Sequence, residues 1–167
     1  MIRVRSIEEA KRSKESQSAE QDPDGHWGEI TNGLQMSLRF EKGEYRVGEP
    51  LTAVVLLRNV ENVQLKFLMQ YVSGRPSPVN ILVTEGGKEL ALKSQKSAAE
   101  FDVVDTSTKS STLYPQTQLK YVMDLRAYYD FREAADYSCK ASCKFADSEG
   151  QHEMHSGSVR IAVTNRP

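Results

Sequence analysis

The sequence predicts an all-β protein, an antiparallel β-sandwich of about seven to nine strands, and three observations carry that prediction. Apolar and polar residues alternate with a period of two in several short runs, the period at which strand side chains point to opposite faces. Glycine and proline steps, the residues that fit turns best, punctuate those runs at short intervals. The stretch 118–145, QLKYVMDLRAYYDFREAADYSCKASCKF, sets two alternating runs on either side of an aromatic, charged corner.

Residues 1–26 are polar and mixed in charge, and SKESQSAEQDPDG has no sustained apolar period. They are expected to form a linker or flexible arm ahead of one domain spanning 27–167. Glu8, Glu9, Lys11 and Arg12 are spaced for helical pairs, but so short a helix is marginal alone. Leu34, Met36, Leu38 and Phe40 alternate with Gln35, Ser37 and Arg39 in a half-buried strand that Lys42-Gly43 breaks. After the turn Gly48-Glu49-Pro50, residues 51–60 are apolar on both faces, as expected of a central strand covered on both sides. Leu65, Phe67, Met69 and Tyr71 mark a third strand, ending in the loop signal SGRPSP at 73–78. Residues 79–84 and 90–93 flank Glu85-Gly86-Gly87-Lys88, a hairpin tip whose glycines supply positive φ. A weaker strand is expected at 101–104, and 105–117, rich in Ser and Thr, reads as a loop anchored by Leu113.

In the corner segment, Leu119, Tyr121, Met123 and Leu125 share one face of a strand, and Tyr137, Cys139, Ala141, Cys143 and Phe145 share one face of the next. The residues between, 126–135, suit a single helical turn crossing from one sheet to the other. Residues 147–157 look turn-like, and Val159, Ile161 and Val163 close the fold.

Asp136-Tyr137-Ser138-Cys139 puts a tyrosine two residues before a cysteine at a strand start, the tyrosine-corner position of immunoglobulin-like domains. With Met123-Asp124-Leu125 and Tyr129-Asp130-Phe131, it resembles the ending of bacterial immunoglobulin-like domains and of the domain preceding deuterolysin-type metallopeptidases. Ala134-Ala135-Asp136 stands where that pattern usually has a glycine turn. Trp27-Gly28-Glu29, Asn32-Gly33-Leu34-Gln35 and Tyr45-Arg46-Val47-Gly48-Glu49-Pro50 are similar to immunoglobulin-like regions of bacterial multidomain proteins. The resemblance covers most of 27–164. It implies an immunoglobulin-like sandwich with a tyrosine-corner-like connection between strands E and F, in which Asp124, Tyr129, Phe131 and Tyr137 are structural. It implies no chemistry, and no HExxH helix of a zinc protease occurs.

The formal net charge of -1, with Lys and Arg scattered among acids, gives no basic footprint, so no nucleic-acid partner is expected. No apolar run is long enough for a membrane-spanning helix, and 1–20 lack the apolar centre of a secretory signal. The expected setting is the cytoplasm, or the cell envelope or exterior if the chain is a piece of a longer protein. Direct membrane insertion is not expected.

Cys139 and Cys143 are the only cysteines, and on one extended strand their Cα atoms would lie roughly 13 Å apart, beyond disulfide reach. The same spacing works against a zinc site built from Cys139, Cys143, His152 and His155, whose donors would have to meet around one ion. No metal or other cofactor is expected. No nucleophile elbow or cysteine-protease spacing appears, and Asp22-Pro23-Asp24-Gly25 lacks the later ligands of a calcium loop. Trp27, Tyr114, Tyr128, Tyr129 and Phe131 divide between a binding platform and plugs for the sandwich ends, with plugging the better reading. Binding is expected at loops, with Arg75-Pro76 and Tyr114-Pro115 as candidates. The expected role is a non-catalytic module for adhesion, interaction or spacing, its partner a protein or the neighbouring domains of a longer chain. The alternative is a proteinase-inhibitor-like sandwich acting through an exposed loop.

Overall fold

The computed structural model describes residues 22–72, 77–93 and 106–165. Among the described residues, eleven strands form two sheets. The first sheet, in the order β1-β2-β4-β9, is antiparallel throughout: β1 His26–Trp27, β2 Leu34–Phe40, β4 Thr52–Asn59 and β9 Gln118–Asp124. The second has the order β3-β11-β10-β5-β8, from β3 Glu44–Arg46, β11 Gly150–Thr164, β10 Ala135–Asp147, β5 Leu65–Val72 and β8 Thr106–Leu113. Off that path, β6 Asn80–Glu85 lies beside the first half of β10 and carries β7 Lys88–Glu89 on its far side. Among the described residues, the one parallel pair is β3 with the end of β11. The all-β sandwich is thus observed; short strands such as β1, β3 and β7, of two or three residues, account for the larger strand number.

One core lies between the sheets. Leu34, Met36, Leu38, Ala53, Val55 and Leu57 of the first sheet join Phe67, Met69, Val83, Phe145 and Ile161 of the second in a single buried cluster. Each fully buried Leu-sized side chain contributes about 1.5–3 kcal/mol relative to exposure. Because Val54 and Leu56 are buried along with Val55 and Leu57, β4 has the two covered faces that its continuous apolar run calls for, with β2 and β9 on either side. Glycine φ values of +55° and +84° at Gly86 and Gly87 make the tight β6–β7 turn. β9 belongs to the first sheet and β10 to the second, so the chain crosses the sandwich at the corner, through a 3-10 turn at Leu125–Ala127.

Three expectations are corrected. Residues 106–113 form a strand and not a loop, pairing with β5 from Val72↔Thr106 to Leu65↔Leu113. Composition misled because an edge strand can be polar on both faces. Lys109 even points to the inner side, its ammonium 4.6 Å from the centre of the Tyr71 ring, a device that guards an edge against further pairing. The turn expected over 147–157 is confined to the residues between Asp147 and Gly150, and β11 continues for 15 residues. A register shift opposite Lys140 and Ser142 reverses the inward parity of β11, so Met154 and Ser156 face in before it and Val159, Ile161 and Val163 after it. A single-phase alternation cannot reveal such a strand. Finally, the sandwich begins before Trp27: His26 pairs with Leu38, and the buried Asp22 carboxylate meets Arg39 Nε at 3.1 Å. The rest of the expected arm, 1–21, and the expected strand at 101–104 lie outside the described residues.

Candidate functional site

The corner gathers Asp124, Tyr129, Phe131 and Tyr137, and each is bound into the fold. One carboxylate oxygen of Asp124 accepts from the backbone N–H groups of Leu51 and Arg126, both at 3.0 Å, capping the 3-10 turn and tying it to Leu51, the residue just before β4. Arg126 donates to three backbone carbonyls, those of Glu49, Phe131 at 3.2 Å and Arg46 at 3.0 Å, and lies over the Phe131 ring. The Tyr129 hydroxyl donates to the Ile81 carbonyl of β6. Phe131, 1% exposed, stands edge-on to Tyr137 with ring centres 4.9 Å apart. The Tyr137 hydroxyl donates to the Glu133 carbonyl at 3.2 Å, and burial is the main cause that raises its pKa. The corner thereby joins β3, β4, β6, β9 and β10, and its aromatic rings plug that end of the core.

Of the loop candidates, Arg75 and Pro76 lie outside the described residues. Tyr114 and Pro115 sit in the short β8–β9 connection, where Tyr114 is 60% exposed. Thr117 closes this turn by donating to the Tyr114 carbonyl from its N–H at 3.1 Å and its hydroxyl at 2.8 Å. The structure does not bring this loop to the corner.

Cys139 and Cys143 are free and buried on the inner face of β10, where burial pushes both thiols up to about 12. A thiol that keeps its proton is a packing group and a poor nucleophile at neutral pH. His155 faces outward, whereas His152 packs against the Phe145 ring and meets Asp147 at 3.0 Å, so the four residues of the zinc reading do not converge. Asn32, at φ +45° in the turn ahead of β2, reaches the β10–β11 turn by donating to the carboxylates of Asp147 and Glu149 at 3.1 and 3.2 Å. Burial opposes ionisation of Asp147, but hydrogen bonds from Glu149 N–H, Asn32 and His152 outweigh it and hold the carboxyl below its usual range. Among the described residues, no three His, Cys, Asp or Glu side chains stand together as a metal-ion site.

One surface feature escaped sequence reasoning. Where β1 meets β11, the sheets touch backbone to backbone: a Cβ on Gly28 would fall 1.7 Å from the His155 carbonyl oxygen, and one on Gly157 would lie 3.1 Å from the Trp27 carbonyl. This approach leaves an open groove of about 700 Å³, lined among others by Trp27, Glu29, Gln35, Lys140, Glu153 and His155. Gln35 is buried and donates to the Gly28 carbonyl at 3.0 Å, which fixes the floor. The half-buried indole of Trp27 is steadied by a long contact from Nε1 to the Asp22 carbonyl at 3.4 Å. The exposed side chains of Glu29, Lys140, Glu153 and His155 make no hydrogen bond or ion pair among the described residues. The local signal was Trp27-Gly28, but its counterpart Gly157 fell in a stretch that reads as a turn.

No family model matches the chain, and no curated protein matches it. Among solved structures it is similar to two of a β-glucosidase from Listeria innocua, a mutant in complex with laminaribiose and the enzyme in complex with glucose. Both are 11% identical, with TM-scores of 0.36 and 0.32, and the match covers 78% of this chain and 16% of each of theirs. The chain therefore corresponds to a small part of the length of those proteins.

Proposed function

We propose that the chain is a non-catalytic, immunoglobulin-like interaction module of a longer bacterial envelope-associated or secreted protein. The corner carries this reading. Tyr137 bonds back to Glu133 at the point where the chain passes from β9 in one sheet to β10 in the other, the arrangement expected of an immunoglobulin-like connection. The groups that would otherwise attract catalytic interest support it too: Arg126 and Tyr129 are engaged with backbone carbonyls, and both thiols remain protonated at neutral pH. By contrast the exposed side chains of Glu29, Lys140, Glu153 and His155 make no hydrogen bond or ion pair among the described residues, which suits a surface that binds.

The exposed Tyr114 favours a second reading, inhibition of a proteinase by the β8–β9 connection. Its compact turn, closed by Thr117, is short for an extended loop entering a protease cleft. A joint experiment tests both. The purified chain is assayed for turnover of chromogenic glycosides, esters and peptides, for inhibition of serine and cysteine proteinases, and for co-sedimentation with isolated bacterial envelopes. The module reading expects co-sedimentation that heat unfolding abolishes, without turnover or inhibition. Turnover would overturn it, and inhibition lost in Tyr114→Ala would establish the alternative.

A further inference from the structure

We propose that the groove between β1 and β11 binds a saccharide, with the Trp27 indole as its stacking surface. The proposal deepens the module reading and rests on it for a binding role.

Three features of the groove select this ligand class. Among the described residues its one aromatic side chain is Trp27, and the rest of the lining is polar side chains or glycine, so a wholly apolar ligand would leave those polar groups without partners. The exposed charges are of both signs, Glu29 and Glu153 against Lys140, so the groove offers no single-sign field to draw in a strong ion, and the His155 imidazole adds a further polar group. A pyranose fits the combination. One face of its ring presents C–H groups to the flat indole, while its hydroxyls both donate and accept, and so can pair with carboxylates, an ammonium and an imidazole at once. The glycines keep the floor low: any side chain at Gly28 would collide with the His155 carbonyl. The groove's volume, about 700 Å³, lies in the range of small-ligand sites and exceeds what one sugar ring fills, which favours an oligosaccharide.

Trp27 is the only tryptophan in the chain, so intrinsic fluorescence reports on this groove alone. Cellohexaose, chitohexaose and xylohexaose are titrated into the full chain, with a flexible Gly-Ser peptide and a Lys-Glu peptide as controls. The expected result is a saturable change in Trp27 emission with at least one saccharide, at a Kd of about 1 mM or tighter. Calorimetry should then show binding about tenfold weaker in Glu153→Gln or Lys140→Ala, and lost in Trp27→Ala, with the melting temperatures of the two charge variants unchanged. Silence with all three saccharides up to about 10 mM overturns the proposal. So does undiminished calorimetric binding in Trp27→Ala, or a response to a peptide with none to the saccharides. Failure here is separable from failure of the module reading, because the latter would appear as turnover or proteinase inhibition.

Discussion

The corner and the β1–β11 groove hold the same kinds of residue, aromatic, acidic and basic, put to opposite uses. At the corner Arg126 spends its guanidinium on three carbonyls, and Tyr129 and Tyr137 each bond a backbone oxygen. In the groove Lys140, Glu153 and His155 are exposed and make no hydrogen bond or ion pair among the described residues. Residue type therefore does not distinguish scaffold from binding surface here; the partnering of polar atoms does. Buried polar groups without partners are costly, so the corner had to satisfy its own, whereas exposed ones can wait for a ligand.

The comparison breaks most visibly if the corner is removed. Phe131 is fully enclosed between Tyr129, Tyr137 and Arg126, and Phe131→Ala should cost about 3–5 kcal/mol, enough to unfold a domain of ordinary stability. Urea denaturation measures it. A loss under about 1 kcal/mol would mean that the corner is not part of the cooperative core.

The core beneath it yields a pH test. With the folded thiols of Cys139 and Cys143 near 12 and the ordinary value at 9.0, the unfolded chain releases protons first as pH rises. Their contribution is fully present below about pH 9 and declines between about pH 9 and 12, by about 1.4 kcal/mol per pH unit for each thiol. Urea midpoints at rising pH should fall accordingly, and Cys139→Ala with Cys143→Ala should flatten the decline. An equally steep fall in the double variant would assign it to other groups, Tyr121 first among them, since burial raises its pKa to about 12.

On the groove side, Gly28→Ala should cost about 1–3 kcal/mol, because its methyl must displace the His155 backbone. As β1 pairs through only two residues, the strain should lift that strand and shift Trp27 emission to the red. Gly43→Ala, where a Cβ meets nothing within 4 Å, is the neutral control. Equal behaviour of the two variants would show that the sheets are not in contact at that edge.

These two regions were also unequally legible in the sequence. The corner could be read because its information is local: alternation on each side, and a Tyr two residues before Cys139, placed β9, β10 and the crossing between them. The groove is made by residues more than a hundred positions apart, Gly28 and Gly157, whose meeting depends on a parity reversal in β11 that no fixed period encodes. β8 was missed for a related reason, since eight mostly polar residues become a strand only through pairing with β5. Local propensity marks strands that bury a face; edges and sheet-to-sheet contacts are decided by tertiary pairing.

Tyr137→Phe sharpens the comparison with a single atom. It keeps the ring against Phe131 and removes the hydroxyl that bonds Glu133, so the expected loss is about 0.5–1.5 kcal/mol. Unchanged stability in denaturant would show that this bond does not hold the corner.

The smallest effect is the most discriminating. Glu153→Gln and Lys140→Ala, separately or together, should leave stability within about 0.5 kcal/mol of the parent, since both side chains are exposed and neither has a partner to lose among the described residues. The same denaturation experiment that registers the loss of one hydroxyl at Tyr137 should not register the removal of two charges at the groove. A larger loss would mean that these charges already support the fold, as Arg126 does at the corner, and would return the groove to the scaffold. A null result leaves the two groups free to be used by a ligand without cost to the domain, the condition under which a surface can serve as a binding site.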